Sequence, residues 1–149
     1  MTLRFRNIDV SPDDPVSDWP GEAILIALER GGLSHWRRVV AMIRADPWGP
    51  VASLVEEALK VSRPYGMAEL MERAINHART RSERAERAAV ASEIADLVAR
   101  SGLRKADFAR RIGTSASRMS TYLAGTVTPS AALVVRMRNV TAAERVGLG

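Results

Sequence analysis

The sequence predicts an all-α fold: a small N-terminal helical domain joined by a long helix to a C-terminal four-helix domain. Three observations carry this. Met67 to Ser101 contains neither Gly nor Pro, which allows a helix of up to about ten turns at 3.6 residues each. On either side of it, Gly and Pro recur at the spacing of short helices. Only Met1 to Val10 alternates apolar and charged residues as a strand does.

Taken in order, Leu3 and Phe5 alternate with Arg4 and Arg6, a pattern that fits a short edge strand or an extended arm. Ser11 to Trp19, with Pro12, Asp13, Asp14, Pro15 and Asp18, reads as a turn-rich acidic connector. Pro20 suits the first turn of a helix reaching about Arg30, where Gly31-Gly32 stops it. Ser34 is the expected cap of a second helix through about Ala45, ended by Pro47. Pro50 opens a third, with Val51, Leu54, Val55 and Leu59 on one face, reaching Val61 before Pro64. Gly32-Leu33-Ser34 followed by Val39 and Met42 echoes Gly102-Leu103-Arg104 followed by Ala109 and Ile112, but the echo fails after Met42.

The long segment is amphipathic at its ends only. Met67, Leu70, Met71, Ala74 and Ile75 form one apolar stripe, and Val90, Ile94, Leu97 and Val98 form another. Between them Arg79 to Arg87 is polar, with Glu83 and Arg87 at i,i+4 spacing. This reads as a solvated helical connector over residues 79–89, between an N-terminal domain of 1–78 and a C-terminal domain of 90–149. A break near Thr80 to Ser82 is the alternative.

The chemistry concentrates after Gly102. Phe108, Ala109 and Ile112 place apolar groups at helical spacing before a turn, and Met119, Tyr122 and Leu123 do so after it. Gly113 bends the turn, Ser115 fits the cap of the following helix, and Gly125 fits its left-handed end. A small residue, Ala109, lets the two helices cross closely. The outward positions of the second helix are Ala116, Ser117, Arg118, Ser120 and Thr121, a flat polar surface with one long cation. Such a face suits the major groove: Ser and Thr hydroxyls bond base edges, Ala116 and the Thr121 methyl fit a thymine methyl, and Arg118 can fork onto guanine or phosphate. A solvated helix face has the same composition.

These residues resemble the Cro and lambda-repressor type of helix-turn-helix, called Xre-like, over roughly residues 90–140. The resemblance rests on Ala109, Gly113, Ser115, Met119 and Gly125. It implies DNA binding through the helix 115–124. Where that family commonly carries a Gln bracing the recognition helix, this chain has Lys105, a cation able to hold a phosphate. The resemblance further implies that Thr126-Val127-Thr128 follows the DNA backbone. It also implies a fourth helix from Pro129-Ser130 to about Val140, capped by Thr128, with Leu133, Val134 and Met137 inward and Arg136 and Arg138 outward. Arg104, Lys105, Thr114, Ser115, Thr126 and Thr128 join the outward face as candidate DNA contacts. Relatives often dimerise through a further helix, and only Thr141 to Gly149 remain, so a homodimer is expected to form through the N-terminal domain or the long helix. The alternative is an antitoxin or adaptor whose N-terminal domain binds a protein partner and whose helix-turn-helix autoregulates its operon.

Charge placement agrees. Residues 102–149 hold eight Arg or Lys against two Asp or Glu, on a chain whose total is +5, so the excess lies on the motif. No Cys is present, which excludes a disulfide framework and a thiolate metal site. No apolar run is long enough for a membrane span, and the N-terminus lacks a signal-peptide core, so the cytoplasm is expected. His35 and His77 read as surface or helix-end residues, and Trp19, Trp36 and Trp48 as core rather than ligand cage. Glu56-Glu57 and Asp13-Asp14 are adjacent rather than face-sharing, so no acid-base pair, metal set or cofactor loop is expected, and no enzymatic activity.

Overall fold

The computed structural model describes residues 2–147, and among these every regular element is a helix. It comprises α1 (Gly21–Arg30), α2 (Leu33–Ala45), α3 (Pro50–Val61), α4 (Met67–Ser101), α5 (Lys105–Arg111), α6 (Ala116–Ala124) and α7 (Ala131–Gly147), preceded by a 3₁₀ turn at Val16–Asp18. Contacts divide it into two compact units, Met1–Ser82 and Glu83–Gly149, with the division inside α4. That helix is continuous, with no break at Thr80 to Ser82.

In the first unit, Trp19, Ile24, Leu28, Val39, Ile43, Val55 and Met71 are sealed from solvent and form the core. Residues 2–5 make no strand. They run as an arm whose Leu3 is buried and whose Phe5 meets Trp19 edge-on at 5.1 Å. The acidic connector is tied down by Arg38 of α2, which donates to the carbonyls of Pro12 and Asp14 at 2.6 Å each and lies over the Trp19 ring. A planar guanidinium suits this place, since it stacks and donates twice at once.

Several expected helix ends differ from what forms. Pro20 stands just outside α1, at the cap position. Ser34 does not cap α2: the helix begins two residues earlier than that cap would place it, Gly32 holds the cap position, and its N–H donates to His35 Nδ1 at 3.1 Å. His35 is therefore a helix-end residue with a structural task. Leu70, expected on the apolar stripe of α4, is exposed on its flank, while Met67, Met71, Ile75 and Ala78 are buried. The tryptophans are also divided. Trp19 is core, Trp36 is half-buried with its indole N–H on the Ala27 carbonyl, and Trp48 is half-exposed.

Trp48 is covered from one side by Arg79, whose guanidinium carbon lies 5.8 Å from the ring centre. Arg79 also donates to the Pro47 carbonyl at 3.0 Å and forks onto Glu56 at 2.7 and 3.2 Å. One side chain thus joins α4 to α3 and to the preceding loop. The Arg79 hydrogen bonds hold the Glu56 carboxyl below its ordinary pKa, and Arg63 does the same to Glu72. A lowered folded pKa means that the stabilisation is present above the unfolded carboxylate value and is lost as pH falls through the folded one. Glu56→Gln is expected to cost at most about 1 kcal/mol at pH 7, because the pair is partly exposed. Urea titrations from pH 7 to pH 3 should show the wild-type advantage vanish in acid, and a constant gap would disprove the linkage.

Candidate nucleic-acid interface

The second unit is built around α5 and α6. Phe108, Ala109 and Ile112 from the first helical segment and Met119 and Tyr122 from α6 pack with Ile94 and Leu97 of α4 and Met137 and Val140 of α7. Ala109 is buried, and its lack of bulk allows the close crossing. The turn between α5 and α6 is fixed by hydrogen bonds. Gly113 has φ 81°, its N–H donates to the Arg110 carbonyl at 3.1 Å, and the Thr114 N–H reaches back to Ala109 at 2.9 Å. This is the Schellman arrangement, which needs a residue free of a Cβ at its left-handed position. Ser115 then restarts the helix, its Oγ accepting from the Arg118 N–H at 3.1 Å.

The far end of α6 is closed in the same way. Gly125 has φ 75°, and its N–H donates to Tyr122 at 3.2 Å. The Thr121 carbonyl accepts from the N–H groups of Thr126 and Val127 and from Thr126 Oγ1, so the following loop folds directly back onto α6. A nine-residue helix is short for independent stability, and these two caps hold its register against the core.

On the outward face Ala116, Ser117 and Arg118 are exposed, and Ser120 and Thr121 are half-exposed. Thr121 Oγ1 donates to the Arg118 carbonyl at 2.6 Å, which leaves its lone pairs able to accept. Ser120 Oγ donates to Ala116 and accepts from Lys105 Nζ at 2.8 Å. Lys105 therefore does brace α6 from α5, where its charge had pointed only to phosphate holding. The ammonium keeps two further donors.

The cations of this unit are not equivalent. Arg104 pairs with Asp107 at 3.3 Å, Arg110 approaches the same carboxylate at 3.8 Å, Arg111 pairs with Glu144, and Arg138 pairs with Glu93 at 2.8 Å. Arg118 and Lys105 have no acidic partner among the described residues, so their charge is presented undiminished. Of the remaining candidates, Thr114 lies in the turn with its N–H used internally, and Thr126 and Thr128 are exposed in the loop after α6. Thr128 does not cap α7. That task falls to Ser130, whose Oγ accepts from the Leu133 N–H at 3.1 Å, and α7 continues to Gly147 rather than stopping near Val140.

Two polar groups that sequence reading passed over position the unit from within. Thr141 is buried and donates to the Leu97 carbonyl at 2.9 Å, joining α7 to α4. Ser101 is buried and accepts from the Leu103 N–H at 3.1 Å, shaping the bend into α5. Both are hydroxyls on otherwise apolar faces, which is the only trace they leave in the sequence. Among the described residues no cluster of three His, Cys, Asp or Glu is placed to hold a metal, and no helix is long and apolar enough to cross a membrane.

Comparison with curated proteins and with solved structures finds no match. Comparison with protein families does: the family described as a helix-turn-helix domain matches residues 69–148, from the first turn of α4 through α7. With the match covering more than half the sequence, and with α5, its glycine turn and a capped α6 in place, the chain belongs to the helix-turn-helix domain family, and DNA is the partner that domain takes.

Proposed function

We propose that this protein is a sequence-specific transcriptional regulator of the Xre-like kind, non-enzymatic and cytoplasmic, which inserts α6 into the major groove as a homodimer. The observation that carries the reading is Arg118: an exposed guanidinium with no acidic partner among the described residues, between Ser117 and Thr121, on a helix fixed at both ends. One motif of this size buries too little surface for tight binding, and two copies on a two-fold site gain it. Selection from random duplexes with the full chain is the test. It should yield inverted repeats with half-sites about 34 Å apart, or a multiple of that. Recovery of no enriched sequence would overturn the reading.

Lys105 has two tasks in this account, and two substitutions separate them. Lys105→Ala is expected to weaken binding to all duplexes alike and to reduce the slope of log K against log salt by about one. Lys105→Gln keeps a donor for Ser120, so it should reproduce the loss of slope while retaining more of the overall affinity. Unchanged slopes for both variants would remove Lys105 from the phosphate contact.

A second reading, an antitoxin or adaptor with a protein partner on the first unit, is favoured by Val61, Tyr65 and Leu70, three large exposed apolar side chains within ten residues. A small toxin-like neighbouring gene whose product co-purifies with this chain would support it.

A further inference from the structure

We infer that α4 contributes a second phosphate-binding element, Arg84 and Arg87, which extends the DNA contact beyond the recognition helix and its loop. The inference rests on the major-groove reading above and concerns only the second unit.

The loop after α6 connects the two regions. Its Thr126 and Val127 N–H groups are bonded to the Thr121 carbonyl, so it adjoins the reading face. Its Gly125 adjoins α4: a Cβ placed there would lie 3.7 Å from Ala91 Cβ and 3.7 Å from the Arg87 carbonyl oxygen. The face of α4 that meets this loop is therefore the one carrying Ala91, which is buried. At 100° per residue, Arg84 and Arg87 fall within about 40° of Ala91 on the helix, whereas Glu83 and Glu86 lie about 80° and 140° away. Both arginines thus continue the face that touches the loop, one and two turns beyond it, while Glu86 is turned aside and Glu83 flanks Arg87 one turn away. Arg87 is half-buried and Arg84 exposed, as expected for side chains leaving a packed edge toward a polyanion. The loop already presents Thr126 and Thr128 outward, and two cations beside it prolong the same backbone track.

The partner is the sugar-phosphate backbone flanking the half-site, bound without sequence preference. The test is a salt titration of the full chain on a selected duplex, with Arg84→Ala/Arg87→Ala and Arg84→Lys/Arg87→Lys double variants. With two fewer phosphates neutralised, the Ala pair should show a slope of log K against log salt shallower by about two, with relative affinities among sequences unchanged. The Lys pair should restore the slope, since a point charge suffices for phosphate. Ethylation interference should show two flanking phosphates that matter to the wild type and not to the Ala pair. A slope unchanged in a folded Ala pair overturns the inference and leaves the α6 reading standing. A wild type that binds no duplex overturns that reading itself.

Discussion

Arg118→Ala is expected to lose about 1–3 kcal/mol of binding free energy at particular base pairs, and to relax preference there. The size follows from what the structure leaves at Arg118: an exposed side chain with no acidic partner among the described residues, on the first turn of a helix whose cap is bonded to the Arg118 N–H itself. Its position is thus set by the Ser115 cap, and little conformational freedom remains in the backbone that carries it. Bidentate contact to a guanine would be lost whole on truncation, with no neighbouring cation on α6 to replace it. Competition binding against single-position variants of a selected site measures the effect. An equal loss on every sequence would make Arg118 a phosphate contact only.

Phe108→Ala is the substitution with the largest expected effect on stability, a loss of about 3–5 kcal/mol in the second unit. Phe108 is completely buried in a core cluster with Ile94, Ile112, Met119 and Met137, to which every helix of the unit contributes. Truncation leaves a cavity in the core that α5 and α6 share, so DNA binding should fall with helicity. All three tryptophans lie in the first unit, so the transition is to be followed by far-ultraviolet circular dichroism rather than by indole fluorescence. A loss below about 1 kcal/mol would mean that the core as described does not hold the motif.

The elements were legible where punctuation and period agree. Pro50, Gly113, Ser115 and Gly125 each perform the local task their chemistry favours, and the outward face of α6 is exposed as its spacing predicts. Helix starts were less legible where two residues compete. Ser34 lost to a Gly32 cap because His35 Nδ1 supplies the acceptor, and Thr128 lost to Ser130 because Pro129 separates them and the helix begins after the second. Burial at helix flanks was not legible from period alone. Leu70 and Met71 are adjacent apolar residues, and only the packing of the first unit's core decides which of them turns inward.

Within the site, the sequence displayed the residues but not their pairings. Asp107 stands three residues from both Arg104 and Arg110, and it draws on both, which lowers the weight of Arg104 as a DNA contact. The bond between Lys105 and Ser120 spans fifteen residues and exists only because α5 and α6 cross there. The proximity of Gly125 to Arg87 and Ala91 spans more than thirty, and depends on how the loop after α6 folds back. Long-range juxtapositions of this kind are set by the whole core, so no local pattern announces them.

Methylation interference on a selected duplex tests the central claim most directly, because guanine N7 opens only to the major groove and adenine N3 only to the minor groove. Insertion of α6 predicts that wild-type binding is blocked by N7 methylation at defined guanines in each half-site, and that Arg118→Ala abolishes this sensitivity at one of them. Interference at adenine N3 alone, or an N7 pattern identical in the wild type and the Arg118 variant, would contradict it.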